Sequence, residues 1–181
     1  MMKKFLPLLV IPPLVVLLDQ ATKYWIVQHI LVGSKITVWA GFFDLVHLKN
    51  PGAAFSMLAD WDSELRNKFF LGVSSVALLA LIILYVRTKA EERRVQIPLA
   101  LILGGAIGNL VDRLNIGEVT DFLYFHWQDK WADFTLAGKH FHFAWSWPAF
   151  NVADSAITCG ALFLVGLVLF GSAEHAEAKK G

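Results

Sequence analysis

Four apolar runs set what this chain can become, at about residues 5–27, 69–86, 95–114 and 148–170. Each approaches the roughly 20 mostly apolar residues that a helix needs to cross a bilayer. In hydrocarbon every backbone N–H and C=O must be satisfied within the segment, so such runs specify helices rather than open strands. Composition agrees, with 56% apolar and only 17% charged residues in 181. The reading is a mainly α membrane protein with four transmembrane helices, a single polytopic domain over residues 1–181. A formal net charge of +1 argues against nucleic acid as a partner.

Lys3 and Lys4 precede the first run as they would in a secretion signal. No A-x-A-like site follows, and Asp19 and Lys23 interrupt where cleavage would fall, so a retained helix is expected. The short segments on one side of the runs hold eight basic residues: Lys3, Lys4, Arg87, Lys89, Arg93, Arg94, Lys179 and Lys180. By the positive-inside rule both termini and the loop 87–94 are cytoplasmic, and the loops 28–68 and 115–147 face outward.

Pro7, Pro12 and Pro13 predict a bent or late start to the first helix. In the first outer loop, Ile36, Val38 and residues 42–48 alternate as strands do, with a turn at Ala40-Gly41 and another at Asn50-Pro51-Gly52. Residues 53–58 then run back as apolar surface. Exposed Trp39, Phe42, Phe43 and Phe55 suit a small sheet on the membrane surface, or an ordinary aromatic belt. Asp60, Asp62 and Ser63 offer N-cap chemistry to the second helix, which carries no ionisable group before Tyr85 and reads as scaffold. Pro148 suits the first turn of the last helix. Cys159, the single cysteine, reads as a small buried side chain. His140 and His142 would face one way on a strand, but no metal-ligand spacing accompanies them, so no metal is expected.

The polar residues within or beside the runs converge on one depth. Asp19 and Lys23, four apart on one helix face, lie in the outer half of the first run. They are either a self-neutralising pair or the wall of a site. Asn109, Asp112 and Arg113 share a face at the outer end of the third run, below Gly104 and Gly108, whose small-xxx-small spacing admits a close neighbour. Asn151 and Asp154 share a face at the outer end of the fourth, and Asp121 lies in the short β-like run 119–122. An intramembrane carboxylate costs roughly 2.5–3.5 kcal/mol or more, so it needs a partner or a task. Two acids in a poorly solvated site share a proton, one serving as base on a water and the other as acid to a carbonyl. A proton relay in a small transporter, or polar glue in an assembly protein, would use the same residues.

Five blocks together resemble the lipoprotein signal peptidases (signal peptidase II), bacterial membrane aspartic peptidases. They are Asp19-Gln20-Ala21-Thr22-Lys23, Asn50-Pro51-Gly52-Ala53-Ala54-Phe55, Gly104 through Arg113, Val119-Thr120-Asp121-Phe122, and Phe150-Asn151-Val152-Ala153-Asp154. The resemblance implies Asp121 and Asp154 as the catalytic dyad. It implies Asp19, Lys23, Asn50, Gly52, Gly104, Gly108, Asn109, Asp112, Arg113, Asn151 and Ala153 as residues that shape or support the site. It further implies a prolipoprotein substrate with a diacylglyceryl cysteine, cut just before that cysteine, and no cofactor or metal. The sheet would be a β-cradle and the loop near Asp121 a gate. The protein would be a monomer in the inner membrane, in contact with its lipid, with its site near the periplasmic face. The stretch 126–147 departs from the family by its length, and is read as a surface loop, an enlarged gate or a partner surface.

Overall fold

The computed structural model describes residues 2–52, 61–136 and 138–177. Four helices are long and apolar enough to span a membrane: α1 (Met2–His29), α2 (Ser63–Arg87), α3 (Arg93–Ile116) and α4 (Val152–Glu177). Four strands, β1 (Lys35–Trp39), β2 (Phe43–Asn50), β3 (Val119–Leu136) and β4 (Lys139–Ser146), form one sheet in that order. The chain is thus a multi-pass membrane protein of mainly α structure with a small antiparallel sheet. It divides into two compact units, Met1–Ala21 with Pro51–Val119 and Val152–Gly181, and Thr22–Asn50 with Thr120–Asn151.

The first unit is built around α3, the most buried of the spans. Tyr85, Leu99, Ala100 and Leu103 form its core, with Phe5, Leu8 and Ile11 of α1 packed on them. Small residues set how closely the helices approach. A Cβ on Gly104 would lie 2.8 Å from Val15 Cβ, and one on Gly160 would lie 2.7 Å from Pro98 O. Without these glycines the helices would be held apart, and the van der Waals contacts that join helices in lipid would be lost. The second helix acts as scaffold through its one buried residue. Tyr85 is fully buried, and its hydroxyl donates to Lys4 O at 3.0 Å, tying α2 to the first turn of α1. Asp62 caps α2, its carboxylate accepting from Leu65 N at 2.8 Å, as its position before the run predicts.

Several expectations are corrected here. Of the bent or late start expected of the first helix, the late start does not occur: α1 is helical from Met2 through all three prolines. Pro7 lies in the opening turns, where few carbonyl partners are lost. Pro148 is not in the first turn of α4, which begins at Val152, because Phe150 is engaged in an antiparallel bridge with Leu123. Cys159 is exposed rather than buried. In a bilayer an apolar run need not hide its side chains within protein, since lipid is as good a solvent for them.

In the second unit β1 and β2 form the hairpin that the alternation predicts, turning at Ala40-Gly41 with Gly41 at φ +76°. Trp39 is exposed, but Phe42 and Phe43 are half-buried, because Phe125 of β3 packs on both, 5.5 and 4.7 Å between ring centres. Phe55 and residues 53–58 lie outside the described residues, as does Asp60. The largest departure is 115–147. It is not a loop: β3 and β4 make a long hairpin, with Leu136 paired to Lys139 at its end. Asp44 of β2 is buried beneath Lys35, whose Nζ lies 2.7 Å away, and His126 Nε2, at 3.2 Å. Burial pushes the Asp44 carboxyl up. Hydrogen bonds from Lys35 and Thr37, with the charges of Lys35 and His126, outweigh it and hold the group below its ordinary value.

Candidate active site

In the first unit the polar side chains are organised on the C-terminal turns of α3. Asn109 donates to Asp154 Oδ1 at 2.7 Å. Asp154 lies in the first turn of α4, where unpaired N–H groups and the helix dipole favour an anion. One residue earlier, Ala153 N donates to Asp19 Oδ1 at 2.9 Å, so the fully buried Asp19 on α1 caps α4 from another helix. Asp19 is thus neither solely a partner for Lys23 nor solely a wall. It determines where the first turn of α4 sits. Lys23 is itself buried, in the second unit's portion of α1.

Gln20 completes this network. Its Nε2 lies 3.1 Å from Asp19 Oδ2, 3.2 Å from Gly108 O and 2.9 Å from Asp112 Oδ1. One amide therefore serves two buried carboxylates. Gly108 must be glycine for the same reason, since a Cβ there would meet Asp19 Oδ2 at 2.8 Å and Ala153 Cβ at 3.2 Å. Gly105 faces α4 directly, with the Ala153 carbonyl where its Cβ would stand.

The shared face expected of Asn109, Asp112 and Arg113 divides among three neighbours. Asn109 serves α4 and Asp112 serves α1. Arg113 stands over the Phe70 ring of α2, 5.9 Å from its centre. The same ring lies against Gly52, whose Cβ would be 2.5 Å from it and whose φ is +91°, so both space and backbone demand glycine. The second helix therefore contributes to the support of these residues after all.

In the second unit Asp121 is 3% exposed and is held at both oxygens. Asn50 donates to Oδ2 at 2.9 Å and Asn151 to Oδ1 at 2.8 Å. Asn151 also reaches Thr120 O at 3.3 Å, and Lys49 Nζ donates to the Thr120 hydroxyl at 3.1 Å. Asn151 is not on α4 but immediately precedes it, fully buried. The bridge between Phe150 and Leu123 brings that junction beside β3.

Asp121 is thus held by two side-chain amides that donate to it and Asp154 by one, which fixes the orientation of each carboxylate. Sequence reasoning picked out every residue of these networks except Gln20, Gly105, Phe70, Lys49 and Thr120. Gln20 and Thr120 sat unremarked inside quoted blocks, and Gly105 beside Gly104. Phe70 carries no signal in an apolar run.

The signal peptidase (SPase) II profile matches residues 11–170. The chain belongs to the signal peptidase II family. It is 42% identical to a lipoprotein signal peptidase of Desulforapulum autotrophicum, over 90% of this chain and 91% of that protein. It is 39% identical to one of Syntrophus aciditrophicus, over 91% and 93%. A solved structure described as a bacterial membrane enzyme superposes with a TM-score of 0.72 at 27% identity, covering 92% of this chain and 90% of that one. The chain is a membrane peptidase, and nothing among these relatives favours a transporter. Among the described residues no cluster of histidine, cysteine or acidic side chains is arranged to hold a metal ion.

Proposed function

We propose that this signal peptidase II removes the signal peptide of prolipoproteins as an aspartic endopeptidase, with Asp121 and Asp154 as its catalytic pair. One observation carries the assignment. Asn151, which orients Asp121, lies three residues before Asp154, which Asn109 orients in turn. Three residues of chain reach at most about 11 Å, so the support of one acid is tethered to the other.

In the mechanism one carboxyl is protonated and one ionised, and the pair titrates as a unit. The ionised member takes a proton from a water that attacks the scissile carbonyl, while the protonated member gives its proton to the carbonyl oxygen. The tetrahedral gem-diol then collapses, the C–N bond breaks, and the departing amine takes up a proton. Cleavage falls just before a diacylglyceryl cysteine, with the acyl chains remaining in the bilayer. Asn50, Asn151 and Asn109 orient the acids. Asp19, Asp112, Gly108 and Ala153 position the first turn of α4, and Gly52 and Arg113 hold the packing around Phe70. Lys23 and Gly104 complete the supporting set. The protein works as a monomer in the inner membrane, both termini cytoplasmic and the site towards the periplasmic face. The excess of basic residues flanking the runs on one side supports that orientation.

The test is loss of signal-peptide mass when purified protein meets a diacylglyceryl-modified prolipoprotein in detergent. Asp154→Asn and Asp121→Asn should each lose at least about 10²-fold in rate while remaining folded. An unlipidated substrate should not be cut. Wild-type rates from either variant would overturn the assignment.

A further inference from the structure

Beyond Gln128 the hairpin of β3 and β4 carries no residue assigned to the reaction, and its two alternating sets of residues differ. Residues paired across strands share a face. One set pairs Trp131 with Ala144, Asp133 with His142 and Thr135 with His140. Apart from Trp131 and Ala144 at its far end it is polar and internally bonded: Asp133 Oδ1 lies 2.8 Å from His140 Nε2, Asp133 Oδ2 lies 3.5 Å from His142 Nδ1, and the 59% exposed Trp131 stacks on His142 at 4.7 Å. The other set pairs Ala132 with Phe143, Phe134 with Phe141 and Leu136 with Lys139. Apart from Lys139 at the tip it is wholly apolar, and Trp145 continues its alternation. Phe134 is 46% exposed, Leu136 64% and Trp145 58%.

We propose that this hairpin lies along the surface of the bilayer, its Phe134–Leu136–Trp145 face in the layer between headgroups and acyl chains and its Asp133–His140–His142 face towards water. Chain continuity identifies the bilayer as the occupant. Two residues separate the end of the membrane-spanning α3 from β3, and five separate β4 from α4, so both strands leave from span ends. Length decides between standing up and lying down. From Gln128, where the backbone turns to φ +50° and the register shifts, to Leu136 the hairpin extends about 25 Å. The interfacial layer is only roughly 5–8 Å deep on each side of the hydrocarbon. Upright, the hairpin would carry its apolar tip far into water. Flat, it places Phe134 and Trp145 where aromatic rings partition best, and lets Lys139 reach a phosphate. Cross-strand aromatic pairing stabilises a hairpin on either face, so it does not account for the segregation of the two sets.

The experiment places an environment-sensitive fluorophore on single cysteines in a Cys159→Ala background, using Phe134→Cys, Leu136→Cys and Thr135→Cys. The full chain is reconstituted in phosphatidylcholine and phosphatidylglycerol vesicles, with and without nitroxide-bearing lipid. Labels at 134 and 136 should emit to the blue, lose intensity with nitroxide lipid and resist aqueous iodide. The label at 135 should show the reverse. Equal iodide quenching at all three positions would overturn the proposal. So would labels at 134 and 136 that are shielded from iodide yet untouched by nitroxide lipid, the signature of a second copy or another protein on that face. Should Phe134→Cys fail to fold, the tip position 136 against 135 decides alone. Because the readout is optical, it stands whether or not the catalytic assignment does.

Discussion

Gly105→Ala is the substitution whose consequence follows most directly from the geometry. The added methyl would meet the Ala153 carbonyl and stand 2.7 Å from Ile157 Cγ1. Carbon atoms prefer about 3.5–4.0 Å, so α4 must retreat by about 1 Å at its first turn. Neither obstacle is the end of a flexible chain that can swing aside: one is backbone, the other a branched side chain. The retreat would stretch the Asn109–Asp154 bond from 2.7 Å past the hydrogen-bond range of about 3.2 Å, and would loosen Ala153 N from Asp19. Overpacking costs about 1–3 kcal/mol, and weakening a bond to a charged group about 1.5–3 kcal/mol. On the proposed assignment of Asp154 as catalytic, its displacement by about 1 Å is expected to cost up to about 10²-fold in rate. Gly72→Ala is the control, since nothing lies within 4 Å of a Cβ there, and it should be neutral or stabilise by up to about 1 kcal/mol. Thermal unfolding in detergent and prolipoprotein processing would be measured on both. A Gly105→Ala protein as stable and as active as Gly72→Ala would refute the claim that close α3–α4 approach positions Asp154.

Gln20→Ala removes the amide shared by Asp19 and Asp112, and should lower stability by about 1–3 kcal/mol; Gln20→Glu, which adds a third acid, should be worse, and equal stability of all three proteins would count against the network. Gly52→Ala should destabilise by about 1–3 kcal/mol through both its positive φ and the Phe70 ring; adding Phe70→Ala should recover only the steric part, so complete recovery would dismiss the backbone argument. The Asp44 carboxyl is held low when folded, so the stability it contributes is present above its ordinary pKa of 3.8 and is lost as pH falls through its lowered value. Unfolding followed from neutral pH to below pH ~3 should show that loss in the wild type, whereas Asp44→Asn should be flatter there.

The candidate site was legible to an unusual degree because membrane solvation makes polar residues conspicuous. A carboxylate such as Asp19 or Asp154 in an apolar run announces a partner, and both have one. What spacing could not convey is which partner. Asp19 and Lys23 sit at a helical interval, yet the bonds that place Asp19 run to Gln20 and to a backbone N–H 134 residues away. Asn151 and Asp154 sit at a helical interval too, but Asn151 precedes the helix and serves β3. The hairpin at 119–146 is not legible in the sequence because its aromatic alternation lies beyond the short β-like run 119–122, and because a register shift near Gln128 breaks its period.

By itself the sequence determined the four spans, their order and the set of acids and amides that must be satisfied among them. Those follow from local terms, chiefly the cost of placing unsatisfied backbone or charge in hydrocarbon. Only the tertiary structure decided which glycine faces which helix, that Phe70 joins Gly52 to Arg113, and that α4 starts under the carboxylate of Asp19. Those depend on contacts shorter than a methyl group between residues far apart in the chain, and no residue's own chemistry specifies them.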